Sequence, residues 1–140
     1  MGEEEIRRDW TEIVKLFKER LSEVLQVEAI IVHGSISRSG PTSTSDIDVI
    51  VVSDNFRDMS FHKRMELLES VRIGKIQALG YTFSEIESMV MKTNPLILGA
   101  LIEGIHITSS ERILELKERV KRMYIRMGRI WKPIDFQFSF

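Results

Sequence analysis

Apolar side chains at Ile6, Trp10, Ile13, Val14, Phe17, Leu21, Val24 and Leu25 fall three and four positions apart, which predicts a helix with one buried face. The pattern then changes. Val27-Glu28-Ala29-Ile30-Ile31-Val32 is short, β-branched and closed by Gly34, as expected of a mostly buried strand. From Ile36 to Ser45 the chain carries Ser, Thr, Gly and Pro without an apolar period, which predicts a loop. Ile47 to Val52 is apolar nearly throughout, the pattern of a second strand buried on both faces.

Ser60 is placed to cap a helix running to about Val71, with Met65, Leu67, Leu68 and Val71 as its apolar surface and Gly74 beyond its end. Lys75 to Leu79 predicts a weaker third strand. Thr82-Phe83-Ser84-Glu85 has the spacing of a capping box and opens another helix. Asn94-Pro95 restarts the chain as a helix to Glu103, followed by a short strand from Ile105 to Thr108. A second capping box, Thr108-Ser109-Ser110-Glu111, begins a long helix whose stripe is Ile113, Leu116, Val120, Met123, Tyr124 and Met127, ending near Gly128. There is no internal repeat. The elements predict an α/β (α+β) fold, a small mixed β-sheet flanked by helices, with residues 1–140 as a single domain and a C-terminal helix and apolar tail over 111–140.

The length of 140 residues suits one core. A net charge of -1 excludes a uniformly basic nucleic-acid coat but leaves room for a local basic patch. Lys117, Arg119, Lys121, Arg122, Arg126, Arg129 and Lys132 form such a patch; a solvated helix face complementing the helix dipole is favoured over nucleic-acid contact. The absence of cysteine excludes disulfides, thiolate metal sites and cysteine nucleophiles. The acidic start Met1-Gly2-Glu3-Glu4-Glu5 is unlike a secretory signal and no apolar run approaches a membrane span, so the expected location is the cytoplasm, away from membranes. His33, His62 and His106 share no metal-ligand spacing and read as packing or surface residues. Met89, Met91, Met123 and Met127 read as fillers of core gaps. In the tail, Ile134, Phe136, Phe138 and Phe140 alternate with polar residues, giving an apolar face for packing in cis or for a second chain.

The chemistry concentrates at Gly34-Ser35 and Asp46-Ile47-Asp48. Strand side chains alternate, so Asp46 and Asp48 project from one face while Ile47 and Val49 take the other. Two carboxylates brought together repel unless a cation lies between them, and hard divalent ions take carboxylate oxygens together with substrate phosphates. Gly34 permits close backbone approach, and Ser35 adds a hydroxyl and an amide suited to a phosphate. A Ser45-Asp46 pair at a loop-to-strand junction has a purely structural reading as a turn cap. Together with Gly34-Ser35, the pair supplies the parts for metal-assisted attack at a phosphoryl centre.

Gly34-Ser35, ten intervening residues and then Asp46-Ile47-Asp48-Val49 resemble the glycine-serine and aspartate-hydrophobic-aspartate motif of the DNA polymerase β-type nucleotidyltransferase superfamily, particularly its minimal prokaryotic members. The order of elements from Val27 to Leu79 is similar to that family's catalytic core. The resemblance implies transfer of a nucleoside monophosphate from a nucleoside triphosphate to a hydroxyl acceptor, with release of pyrophosphate. It implies Gly34, Ser35 and Arg38 as nucleotide contacts, and Asp46 and Asp48 as catalytic ligands of Mg²⁺ or Mn²⁺; Ser45 joins the nucleotide-binding candidates. It further implies a helical HEPN-type companion, as found with minimal members in toxin–antitoxin pairs; a homodimer is the other candidate assembly, through the apolar tail.

The family's third carboxylate is replaced. On the third strand Gln77 takes its position, and no aspartate occurs between Asp58 and Asp135. An amide neither accepts the acceptor's proton effectively nor adds negative charge for a second cation. Either a glutamate such as Glu85, Glu87 or Glu103 substitutes, or the domain is a catalytically weak or inactive nucleotide-binding module acting through a protein partner in the manner of an antitoxin.

Overall fold

The computed structural model describes residues 2–34 and 46–134, with side chains from residue 10 onward. Helix α1 (Gly2–Val24) leads into β1 (Ala29–His33), and β2 (Ile47–Val52) returns antiparallel to it, with Ala29 opposite Val52 and His33 opposite Asp48. A 3-10 turn at Asp54–Asp58 and helix α2 (Phe61–Ser70) then cross over to β3 (Ile76–Tyr81). That crossover makes β3 parallel to β2. Helices α3 (Phe83–Met91) and α4 (Pro95–Glu103) precede β4 (Ile105–Ser109), which pairs antiparallel with β1 to complete the order β3-β2-β1-β4. The sheet is therefore mixed and flanked by helices, as the pattern predicts.

Alternation along the strands feeds two cores. Ile30, Val32, Ile47, Val49 and Val51 pack with Val14, Phe17 and Leu21 of α1 and with Phe56 and Leu68. Ala29, Ile31, Ile50 and Val52 pack on the other side with Ile86, Ile97, Leu101 and Val120. Phe17 and Phe56 are fully enclosed, each contributing roughly 1.5–3 kcal/mol by burial. Asp48 has the same parity as Ile50 and Val52, so it stands on the α3–α4 side at the end of the sheet.

Local signals set most boundaries. Ser60 accepts from the Lys63 amide at 3.2 Å, and both halves of the Thr82/Glu85 capping box form. Asn94 accepts from the amides of Leu96 and Ile97, with Pro95 in the first turn where its missing N–H costs nothing.

The second capping box does not form. Ser110 caps helix α5 (Glu111–Met123) instead, because Thr108 is held opposite Ile30 in the sheet. The helix also ends at Met123, short of the predicted end near Gly128. Tyr124–Met127 is strand β5, paired with β6 (Ile130–Pro133). Tyr124 is buried and donates its hydroxyl to the Val90 carbonyl at 2.8 Å, while Gly128, at φ 65°, turns the chain between Met127 and Ile130. Met127 is consequently exposed, and Met91, the last residue of α3, is exposed as well, rather than filling core gaps; Met89 and Met123 do pack against the core. Val24 is likewise exposed, outside the stripe assigned to it. The tail 135–140 lies outside the described residues.

Candidate functional site

Strand β1 carries His33 to the end of the sheet, and Gly34 then turns the chain at φ 80°. A Cβ at position 34 would stand 2.8 Å from Oδ2 of Asp48. The left-handed conformation favours glycine, and a side chain there would also press on the Asp48 carboxylate. Asp48 is half-buried and flanked in the sheet by His33 on one side and Gln77 on the other. Asp46 is exposed just ahead of β2, and alternation sets it on the side of Asp48.

Of the residues expected at a site, Gly34 and Asp48 are brought into apposition and Asp46 adjoins them. Ser35, Arg38 and Ser45 lie outside the described residues. Gln77 is exposed and occupies the position beside Asp48 expected of it. His33, read from sequence as ordinary packing, lies in this row; its signal was its place directly before Gly34, legible only once the strand register is known. Burial pushes its pKa below the ordinary 6.5, against the pull of the Asp48 charge, so the imidazole is neutral at pH 7.

The substitute carboxylates divide sharply. Glu85 is committed to structure, accepting from the Thr82 amide at 2.8 Å and from the buried Arg64 guanidinium at 2.7 Å. Glu87 faces Arg119 at 3.8 Å. Glu103 alone of the three lines a cleft of about 220 Å³ with His33, Gly34 and the adjoining face of α4, and it is paired with Arg126. Among the described residues, no group of three or more His, Asp or Glu side chains is placed to hold a metal ion.

The two aspartates nevertheless suit a hard cation. They are oxygen donors, and the backbone at Gly34 leaves space beside Oδ2 of Asp48 that any side chain there would fill. Such a donor set fits an ion that shares its remaining positions with substrate phosphates rather than one enclosed by protein.

The model of the nucleotidyltransferase domain family matches residues 12–115, from α1 through all four strands of the mixed sheet into α5. This chain belongs to the nucleotidyltransferase domain family. A protein of Sulfolobus solfataricus described provisionally as a nucleotidyltransferase has a similar fold, at 20% identity and a TM-score of 0.50, over 73% of this chain and 85% of that one. A toxin–antitoxin structure with AMP-PNP aligns at 16% identity and a TM-score of 0.48, over 81% and 84% of the two chains. The complex of a tri-AMPylated Shewanella oneidensis HEPN toxin with MNT antitoxin aligns at 15% identity and a TM-score of 0.43, over 81% of each chain. No curated protein matches the chain. No helix among the described residues of this nucleotidyltransferase domain is long and apolar enough to cross a membrane.

Proposed function

We propose that the chain acts as one nucleotidyltransferase unit that passes a nucleoside monophosphate from a nucleoside triphosphate to a hydroxyl acceptor, with Mg²⁺ or Mn²⁺ as cofactor. The observation that supports this reading best is the approach of the Gly34 backbone to the Asp48 carboxylate, which keeps the flank of an oxygen donor suited to a hard cation clear of any side chain. In the reaction the acceptor oxygen bonds to the α-phosphorus, the bond from that phosphorus to the bridging oxygen breaks, and pyrophosphate leaves. A divalent ion would supply charge neutralisation and polarisation of the phosphate. Asp46 and Asp48 would hold it, and the left-handed turn at Gly34 keeps the space beside Asp48 open. The acceptor's proton has no carboxylate waiting for it at Gln77, which limits the rate.

That last feature supports the second reading, a nucleotide-binding module that transfers weakly or not at all and acts through a protein partner. Incubation with triphosphate labelled at the α- or the γ-phosphate, in the presence of a cell extract supplying acceptors, separates the two. Transfer of α-label with release of pyrophosphate supports the enzyme. Metal-dependent binding without any transfer supports the module, and transfer of γ-label contradicts both.

A further inference from the structure

Helix α4 presents Leu96, Gly99, Ala100 and Glu103 to the cleft of about 220 Å³ that it shares with His33 and Gly34. These positions follow the i, i+3, i+4, i+7 spacing of one helical face. Gly99 is the exception among them. Glycine inside a helix is disfavoured relative to alanine, yet its backbone is not left-handed and a Cβ there would meet nothing within 4 Å. Neither packing nor conformation demands glycine at this point. Its effect is to leave bare helix backbone facing the cleft, between the apolar Leu96 and the carboxylate of Glu103.

We propose that this cleft receives the nucleoside of the donor triphosphate, its flat base against the backbone at Gly99 and a ribose hydroxyl donating to Glu103. The inference rests on the reading of Gly34, Asp46 and Asp48 as the triphosphate and metal site, and Gly34 belongs to both. A nucleotide with its phosphates over Asp48 thus has its nucleoside within reach of α4. The cleft is smaller than the roughly 300–1,000 Å³ of pockets that enclose a whole drug-sized ligand, so it suits the nucleoside part of a nucleotide rather than the whole of it. Glu103 is oriented by Arg126, and a carboxylate engaged by one guanidinium keeps lone pairs for a further donor.

The test is nuclear magnetic resonance of the ¹⁵N-labelled protein with Mg²⁺, titrated with a non-hydrolysable nucleoside triphosphate analogue and separately with inorganic tripolyphosphate. The amides of Gly34 and Asp48 should shift with both ligands, those of Gly99, Ala100 and Glu103 with the nucleotide alone. Gly99→Leu should weaken nucleotide binding about tenfold and leave tripolyphosphate binding within about twofold of wild type. Because position 99 faces open space, Gly99→Ala should melt no lower than wild type, and it controls for damage to the helix. Shifts at Gly34 and Asp48 without shifts at Gly99, or full nucleotide affinity in Gly99→Leu, would overturn the cleft assignment while the triphosphate site stands. Retained nucleotide binding with lost transfer would also overturn it, giving the cleft to the acceptor. Silence at Gly34 and Asp48 with either ligand would reject the underlying site, and this inference with it.

Discussion

Gln77 stands directly opposite Asp48 in the parallel pairing of β2 and β3. A carboxylate at this position would share the end of the sheet with Asp48, so Gln77→Asp should raise nucleotidyl transfer by about tenfold to a hundredfold through a restored proton acceptor and cation ligand. It should also lower the melting temperature without metal, because like charges then adjoin, and recover it with Mg²⁺. Labelled-triphosphate turnover and thermal melting with and without Mg²⁺ are the measurements. Brisk wild-type turnover with a neutral or harmful Gln77→Asp would place the proton acceptor elsewhere.

Gly34→Ala combines two penalties, a left-handed backbone and a Cβ 2.8 Å from the Asp48 carboxylate, and should cost about 1–3 kcal/mol of stability. Gly128 is also left-handed but has open space around it, so Gly128→Ala should carry only the conformational cost, about 1–2 kcal/mol. Denaturant unfolding compares them, and nucleotide titration should find affinity reduced in Gly34→Ala alone. Equal affinity in the two variants would argue that the close approach at Asp48 has no part in binding.

Arg64 is only 6% exposed and donates to the carbonyls of Phe56, Met59 and Gly80 as well as to Glu85. Arg64→Met strands those acceptors and should destabilise the fold by about 3 kcal/mol. Disrupting the more exposed Glu103–Arg126 pair should cost no more than about 1 kcal/mol. Calorimetric melting of Arg64→Met and Arg126→Met ranks the two; an equal loss would show that burial does not set the difference.

These residues also mark how much the sequence reveals. The strands Ile47–Val52 and Ala29–His33, the Ser60 and Thr82 caps and the helix begun at Pro95 follow from periodicity and capping chemistry, which act over a few residues. Arg64 was hidden because its partners lie on three separate segments, the 3-10 turn with the residue after it, β3 and the start of α3, that only the tertiary fold assembles. Tyr124 fits a helical stripe and a buried strand residue equally well; its bond to Val90 and the turn at Gly128 decide for the strand. At the site, Asp46, Asp48 and Gly34 were legible from residue type and spacing. The pairing of His33 with Asp48 needed the register, and the commitment of Glu85 to Arg64 and Thr82 needed the packing.

Acid should weaken the fold in two stages. Burial lowers the pKa of His33 against the Asp48 charge, and that of His106 against its bond to the Leu101 carbonyl. For both, the unfolded chain binds more protons below the ordinary 6.5, so stability is full above that value and declines as pH falls through the lower folded values. Glu28 is lowered by its Arg112 bond against burial; at Asp54 and Glu85 burial opposes the larger combined pull of Arg112 and of Arg64. Their contribution is present above the ordinary carboxylate range and is lost only at still lower pH. Melting temperature against pH should therefore be level above 6.5 and begin to fall below it, with His106→Gln removing part of the first decline. A curve level down to the carboxylate range would contradict this assignment.

In the proposed function Asp46 and Asp48 together hold a divalent ion and, through it, a nucleoside triphosphate. Calorimetric titration of a non-hydrolysable triphosphate analogue into wild type, Asp46→Ala and Asp48→Ala, each with Mg²⁺ and with chelator, tests it directly. Binding should require Mg²⁺ in the wild type and weaken at least about tenfold in each folded variant. Undiminished Mg²⁺-dependent affinity in both variants would contradict it.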